Sequence, residues 1–271
     1  MTGATPRGTE RIARAFARAN IEGRLAVIIY LTVGYPDRAS TAALLRAAIE
    51  GGADVIELGV PFSDPLADGA TVQRANEVAL ANGVTLADCL SAGRELVAAT
   101  DAPVILMGYT NPFEQYGFQR FAREAAAAGI AGVIVPDMPA EESAVFGIAL
   151  AEAGMARIDM FAPTTPDDRL ARLAPSSRGF VYCVSLTGVT GARRALGADV
   201  EAFVTRVRAH TALPIALGFG ISEPSHVAAL RGVVDGVAIG SAAIDVITRA
   251  TTGGPAALRE FVRGLVDAGR S

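Results

Sequence analysis

Glu57 stands inside a short apolar run, Val55 to Leu58, and Asp68 follows eleven positions later in a loop broken by Gly59, Pro61, Pro65 and Gly69. A carboxylate within an apolar strand costs several kcal/mol unless it is paired, neutralised or used. One acid at a strand end and another in the following loop can share a cleft wall while sitting in unequal surroundings, as acid–base chemistry requires. An ion-paired or capping acid at a strand end is the structural alternative for Glu57.

Other residue types narrow the chemistry further. All 24 basic residues are arginine, so a Schiff base on a lysine amine is excluded. The two histidines, His210 and His226, both fall in helical patterns. That is too few for a histidine-rich metal site and argues against histidine-dependent nucleophile triads. Carboxylates, hydroxyls and backbone groups remain. Cys89 and Cys183 lie far apart and read as inert reduced thiols.

The elements that must position these groups alternate along the chain. The spacing predicts strands over 27–32, 55–58, 103–107, 132–135, 156–161, 180–184, 214–217 and 236–239. It predicts helices over 9–20, 42–50, 70–81, 86–99, 117–128, 140–153, 167–173, 200–209, 223–230, 242–249 and 256–268. Short, nearly continuous apolar strands imply a parallel sheet buried on both faces. Eight βα units in about 250 residues predict a single α/β domain over residues 1–271: a (β/α)8 TIM barrel with an N-terminal lead-in helix and extra helices. An open doubly wound sheet is the runner-up architecture.

A barrel places its chemistry in the loops at the C-terminal ends of the strands. Glu57 and Asp68 fall there, and Tyr30, Tyr109 and Tyr182 lie at or near the same rim, although Tyr30 and Tyr182 also suit a core layer. Gly218-Phe219-Gly220 and Gly240-Ser241 follow the seventh and eighth strands, where backbone N–H groups and a helix N-terminus can hold a phosphate. Ser185 to Arg194 is glycine-interrupted and reads as a lid, with a long surface loop as the alternative.

The chain has 271 residues, 51% hydrophobic and 19% charged, with a net charge of −4. No basic patch suggests nucleic acid. No stretch approaches the ~20 apolar residues needed to span a membrane, and the N-terminus lacks a signal-peptide core. The expected location is cytoplasmic.

The run E-L-G-V-P-F-S-D-P-L-A-D-G, Glu57 to Gly69, resembles the signature of the tryptophan synthase alpha chain family. The resemblance extends in order through T-V-G-Y-P (Thr32 to Pro36), Y-T-N-P (Tyr109 to Pro112), P-D-M-P-A-E-E (Pro136 to Glu142) and A-P-T-T-P (Ala162 to Pro166). It continues through G-V-T-G-A-R (Gly188 to Arg193), G-F-G-I-S (Gly218 to Ser222) and G-S-A (Gly240 to Ala242). Ile29, Ala70 and Leu186 depart from the residues usual in the family.

This resemblance implies retro-aldol cleavage of indole-3-glycerol phosphate to indole and glyceraldehyde 3-phosphate, a lyase step of tryptophan biosynthesis. It implies that Glu57 is the acid–base residue and Asp68 the carboxylate that holds the indole N–H. Thr190 matches the lid residue that meets this aspartate. Gly191, Gly220, Gly240 and Ser241 match phosphate-binding positions. Tyr30, Met107, Phe219 and Tyr182 match the indole wall, with Tyr109 beside it. No cofactor or metal is implied for this chain. The implied partner is a pyridoxal-phosphate-dependent beta chain in an alpha2-beta2 complex, faced by the loop Pro61 to Asp64. A self-sufficient indole-releasing lyase and a barrel that mainly activates a beta chain are the other readings.

Overall fold

Alternation along β1 (Ala26–Thr32) sets the plan of the molecule. Val27, Ile29 and Leu31 pack outward with the helices, while Ala26, Ile28 and Tyr30 join a second, inner cluster. The computed structural model describes residues 7–184, 193–218, 220–250 and 252–270, with the backbone alone over 193–198. The other strands are β2 (Val55–Gly59), β3 (Val104–Met107), β4 (Gly132–Ile134), β5 (Ala156–Arg157), β6 (Met160–Phe161), β7 (Val181–Val184), β8 (Ile215–Gly218) and β9 (Gly236–Ile239). They follow the order β5-β4-β3-β2-β1-β9-β8-β7-β6, and every ladder between these strands is parallel.

The fold is the expected β/α barrel, with one refinement at its seam. The single strand expected over 156–161 is two short ladders. Ile158 N donates to Val133 O at 3.0 Å, whereas Tyr182 N donates to Asp159 O at 3.0 Å. The chain thus changes partner between Ile158 and Asp159, and that change joins β4 to β7. Asp159, nearly buried, accepts from Ser177 Oγ at 2.7 Å and from Arg157 Nη2 at 3.2 Å at this point.

The lead-in helix Gly8–Ile21 turns Ile12, Ala15, Phe16 and Ala19 into the inner cluster and plugs the N-terminal end of the barrel. Phe16 packs on Phe180 with ring centroids 5.3 Å apart. At the same end, fully buried Asp54 binds Arg24 at 2.5 and 2.9 Å, Arg18 at 3.0 Å and Val27 N–H at 2.9 Å. Blocking one end with apolar and paired groups leaves the other rim open for a cavity.

Several helix boundaries move from their expected places. The helix expected over 117–128 is Phe118–Ala127, and a further helix, Thr110–Tyr116, precedes it across Gly117 at φ +89°. Asn111-Pro112 reads as a turn in sequence, but proline is compatible with a first helical turn. Asp137, from the loop after β4, accepts from Thr110 N–H at 2.8 Å and Thr110 Oγ1 at 2.9 Å and so caps that helix from outside. The helix expected from residue 140 starts at Ala144, because Ser143 Oγ turns back to Ala140 O at 2.8 Å. The helix expected over 200–209 is Arg193–Arg208, so Arg193 and Arg194 begin a helix rather than end a loop. The rest of the predicted lid, residues 185–192, lies outside the described residues. Among the described residues no helix is long and apolar enough to cross a membrane.

Candidate active site

A cavity of about 340 Å³ opens at the C-terminal rim, lined by Glu57, Asp68, Tyr30, Met107, Tyr182, Gly220, Gly240 and Ser241 among others. Strand register explains the first of these. Glu57 lies opposite Tyr30 in the β1–β2 pairing, two residues after inward-facing Val55, so alternation aims its side chain into the barrel. It is 1% exposed, and neither carboxyl oxygen has a hydrogen-bond partner among the described residues. Burial, and secondarily the charge of Asp68, pushes Glu57 up to about 8.

Asp68 sits two residues before the helix Ala70–Ala81. Gln73 Nε2 fixes its main chain by donating to Asp68 O at 2.8 Å. Asn76, buried on that helix, donates Nδ2–H to Asp68 Oδ2 at 3.4 Å. Tyr109 donates its hydroxyl to the same carboxylate while accepting Ala67 N–H at 3.0 Å. Burial raises Asp68 to about 6, and the bonds from Tyr109 and Asn76 oppose that rise. Between these values the rim holds one protonated and one ionised carboxyl side by side. A proton donor and a fixed negative charge are then available together.

Two tyrosines wall the cavity by the same device. The Tyr30 ring leans over Gly59 of β2, and a Cβ there would lie 2.2 Å from the tyrosine oxygen. Tyr182 leans over Gly218 of β8, where a Cβ would lie 2.1 Å from its oxygen. In both cases the glycine pairs with the residue two beyond the tyrosine, Thr32 and Val184. Tyr30 Oη also lies 3.2 Å from Thr32 Oγ1.

The opposite wall carries the backbone. Gly220 adopts φ +80°, a conformation costly for other residues, and Gly240 precedes the helix Ser241–Arg249, whose first N–H groups are free of intrahelical partners. Among the described residues no group of three His, Cys, Asp or Glu side chains is placed to hold a metal.

Most predicted site residues therefore converge. Tyr109 stands behind Asp68 rather than on the cavity wall. Thr190, Gly191 and Phe219 lie outside the described residues. Sequence reasoning missed Asn76, although Val72, Ala75, Asn76 and Ala79 form one buried helical stripe and the amide is its only polar member. It also gave Ser222, His226 and Asp245 no role in the site, and all three line the cavity.

Fold and cavity together define a β/α barrel with a two-carboxyl pocket and a glycine-lined helix start at one rim. The model of the family described as tryptophan synthase alpha chain matches residues 16–264, and the chain belongs to that family. A tryptophan synthase alpha chain of Roseiflexus castenholzii is 51% identical over 257 residues, covering 94% of this chain and 98% of that one. The one from Chloroflexus aggregans is 48% identical over 258 residues, covering 93% and 97%. Among solved structures, a chain of Mycobacterium tuberculosis tryptophan synthase superposes with a TM-score of 0.89 at 37% identity, covering 96% of this chain and 98% of that one. The alpha chain from Legionella pneumophila gives 0.88 at 32% identity, with 97% of each covered.

Proposed function

We propose that Glu57 and Asp68 carry out the alpha reaction of this family, the lyase cleavage of indole-3-glycerol phosphate to indole and glyceraldehyde 3-phosphate in tryptophan biosynthesis. The observation that carries the residue roles is the pair of unequal carboxyls on one cavity wall, about 8 for Glu57 and about 6 for Asp68. Protonated Glu57 gives its proton to the indole carbon that bears the glycerol chain. The positive charge then spreads to the ring nitrogen, whose N–H the ionised Asp68 accepts. Glu57, now a base, removes the proton of the adjacent glycerol hydroxyl. The O–H electrons form the aldehyde C=O, and the C–C pair flows into the ring. Indole and glyceraldehyde 3-phosphate leave, and Glu57 is protonated again.

Tyr30, Met107 and Tyr182 flank the indole, with Tyr109 holding Asp68 from behind. Gly220, Gly240 and Ser241 offer main-chain N–H groups to the phosphate, which suits a chain without lysine. Thr190, Gly191 and Phe219 are assigned to the same site on their motif positions. The partner is a pyridoxal-phosphate-dependent beta chain that takes up the indole. The exposed rim loop around Phe62 and Leu66, the latter 92% exposed, supports such a docking surface.

The test is indole release by the purified chain, alone and with a beta chain. Wild type is expected to release indole, with a gain on adding the partner. Glu57→Gln is expected to lose at least about a hundredfold in turnover, and Asp68→Asn a similar amount. Full turnover in Glu57→Gln removes that residue from the proposed role.

A further inference from the structure

Among the described residues, the cavity that holds Glu57 and Asp68 is short of positive charge. Its described lining carries three acids, Glu57, Asp68 and Asp245, and no arginine or lysine. His226, on the short helix Pro224–Ala229, is the one described lining side chain able to become a cation. It lies on the wall formed by Gly220, Gly240 and Ser241, and its side chain is only 17% exposed. Nδ1 accepts the Ser222 backbone N–H at 3.3 Å, while Nε2 faces Glu223 Oε1 at 3.3 Å. With Nδ1 as acceptor, the ring occupies a main-chain donor of the very loop that carries Gly220.

We propose that His226 takes up a proton as a phosphate monoester enters this cavity, supplying a side-chain cation and releasing Ser222 N–H to the ligand. The inference rests on the phosphate end assigned in the proposed function. A nearby anion favours imidazolium over imidazole. Once Nδ1 carries a proton it no longer accepts, so Ser222 N–H needs another acceptor, and phosphate oxygens provide one. Nε2–H stays against Glu223 in both states, so the ring need not turn.

The charged neighbours agree with this balance. Asp245, on the helix that starts at Ser241, accepts from Thr71 Oγ1 at 3.4 Å, and Glu57 and Asp68 also line the cavity. The helix Gly254–Ala268 packs behind Pro224 and carries Arg259, Glu260, Arg263 and Asp267. Those four pair with Glu50, with one another and with Arg270. β8 brings no titratable side chain to the ring.

Because the chain has two histidines, each ring can be followed by NMR in the intact protein. His210, before β8 at the other end of the barrel, is the internal reference. Saturating glycerol 3-phosphate is expected to raise the titration midpoint of His226 by about one pH unit and to leave His210 unmoved. Its Kd is expected to tighten by up to about tenfold more in wild type than in His226→Gln between pH 8 and pH 6. The variant comparison subtracts the ester's own second ionisation near 6 and the two carboxyls that titrate in the same interval. If His226 ignores bound glycerol 3-phosphate while wild type still cleaves indole-3-glycerol phosphate, the inference is overturned and the proposed function stands. If wild type neither binds the ester nor releases indole, the proposed function itself is overturned.

Discussion

Glu57 and Asp68 owe their difference to what surrounds them. Both are desolvated, but Asp68 receives hydrogen bonds from Tyr109 and Asn76, whereas Glu57 receives none among the described residues and also faces the charge of Asp68. In the proposed reaction the competent state has Asp68 ionised and Glu57 protonated. Activity, read as kcat/KM, is therefore expected to rise as pH passes about 6 and fall as it passes about 8. A profile flat from pH 5 to 9 contradicts that assignment. Stability carries the same signature. The Glu57 carboxyl is raised from 4.5 to about 8, so its contribution is complete below about 4.5 and lost as pH climbs to about 8. The melting temperature of Glu57→Gln, taken relative to wild type, is expected to increase from pH 5 to pH 8. A difference independent of pH shows that the buried carboxyl does not titrate in that interval.

At the scale of elements, the rim depends on glycines beneath aromatic rings. Gly218→Ala puts a Cβ 2.1 Å from the Tyr182 oxygen and 2.4 Å from two ring carbons, so strand or ring must move. The expected cost is about 1–3 kcal/mol of stability, with a raised KM because the Tyr182 side of the cavity is displaced. Chemical denaturation and steady-state kinetics check the two parts. An unchanged melting curve together with an unchanged KM means that the ring has room the geometry denies it. This dependence also marks how far the sequence could be read. The place of Glu57 and Tyr30 near the C-terminal rim was legible from strand position, and the helices 70–81, 86–99 and 167–173 lie where periodicity puts them. The helix Thr110–Tyr116 was hidden because its cap, Asp137, comes from another loop. The close approach of Tyr182 to Gly218 was equally hidden, since neither local propensity nor spacing encodes a contact between neighbouring strands.

At the scale of the molecule, closure of the barrel passes through residues 156–161, where the chain leaves β4 and joins β7. Periodicity reads that segment as one apolar strand apart from Arg157 and Asp159, and these two residues mark the change of partner. Arg157 reaches Ser143, Asp159 at 3.2 Å and Ser176 at 2.8 Å, while Ser177 binds Asp159. Asp159 O also receives Tyr182 N–H, so the seam sets the height of β7 and of the tyrosine on the cavity wall. Removing one member of such a pair leaves a largely buried partner uncompensated. Asp159→Ala is therefore expected to cost about 3 kcal/mol. The loss should sit at the lower end of the range for buried pairs, because the Arg157 side chain keeps 19% exposure. Replacing both, as Arg157→Met with Asp159→Leu, removes two desolvated charges at once and is expected to recover most of that loss. A double-mutant cycle by urea unfolding measures the coupling. If the double variant is less stable than Asp159→Ala alone, the polar seam is needed to hold the strand exchange itself, and turnover should then fall with it as Tyr182 shifts.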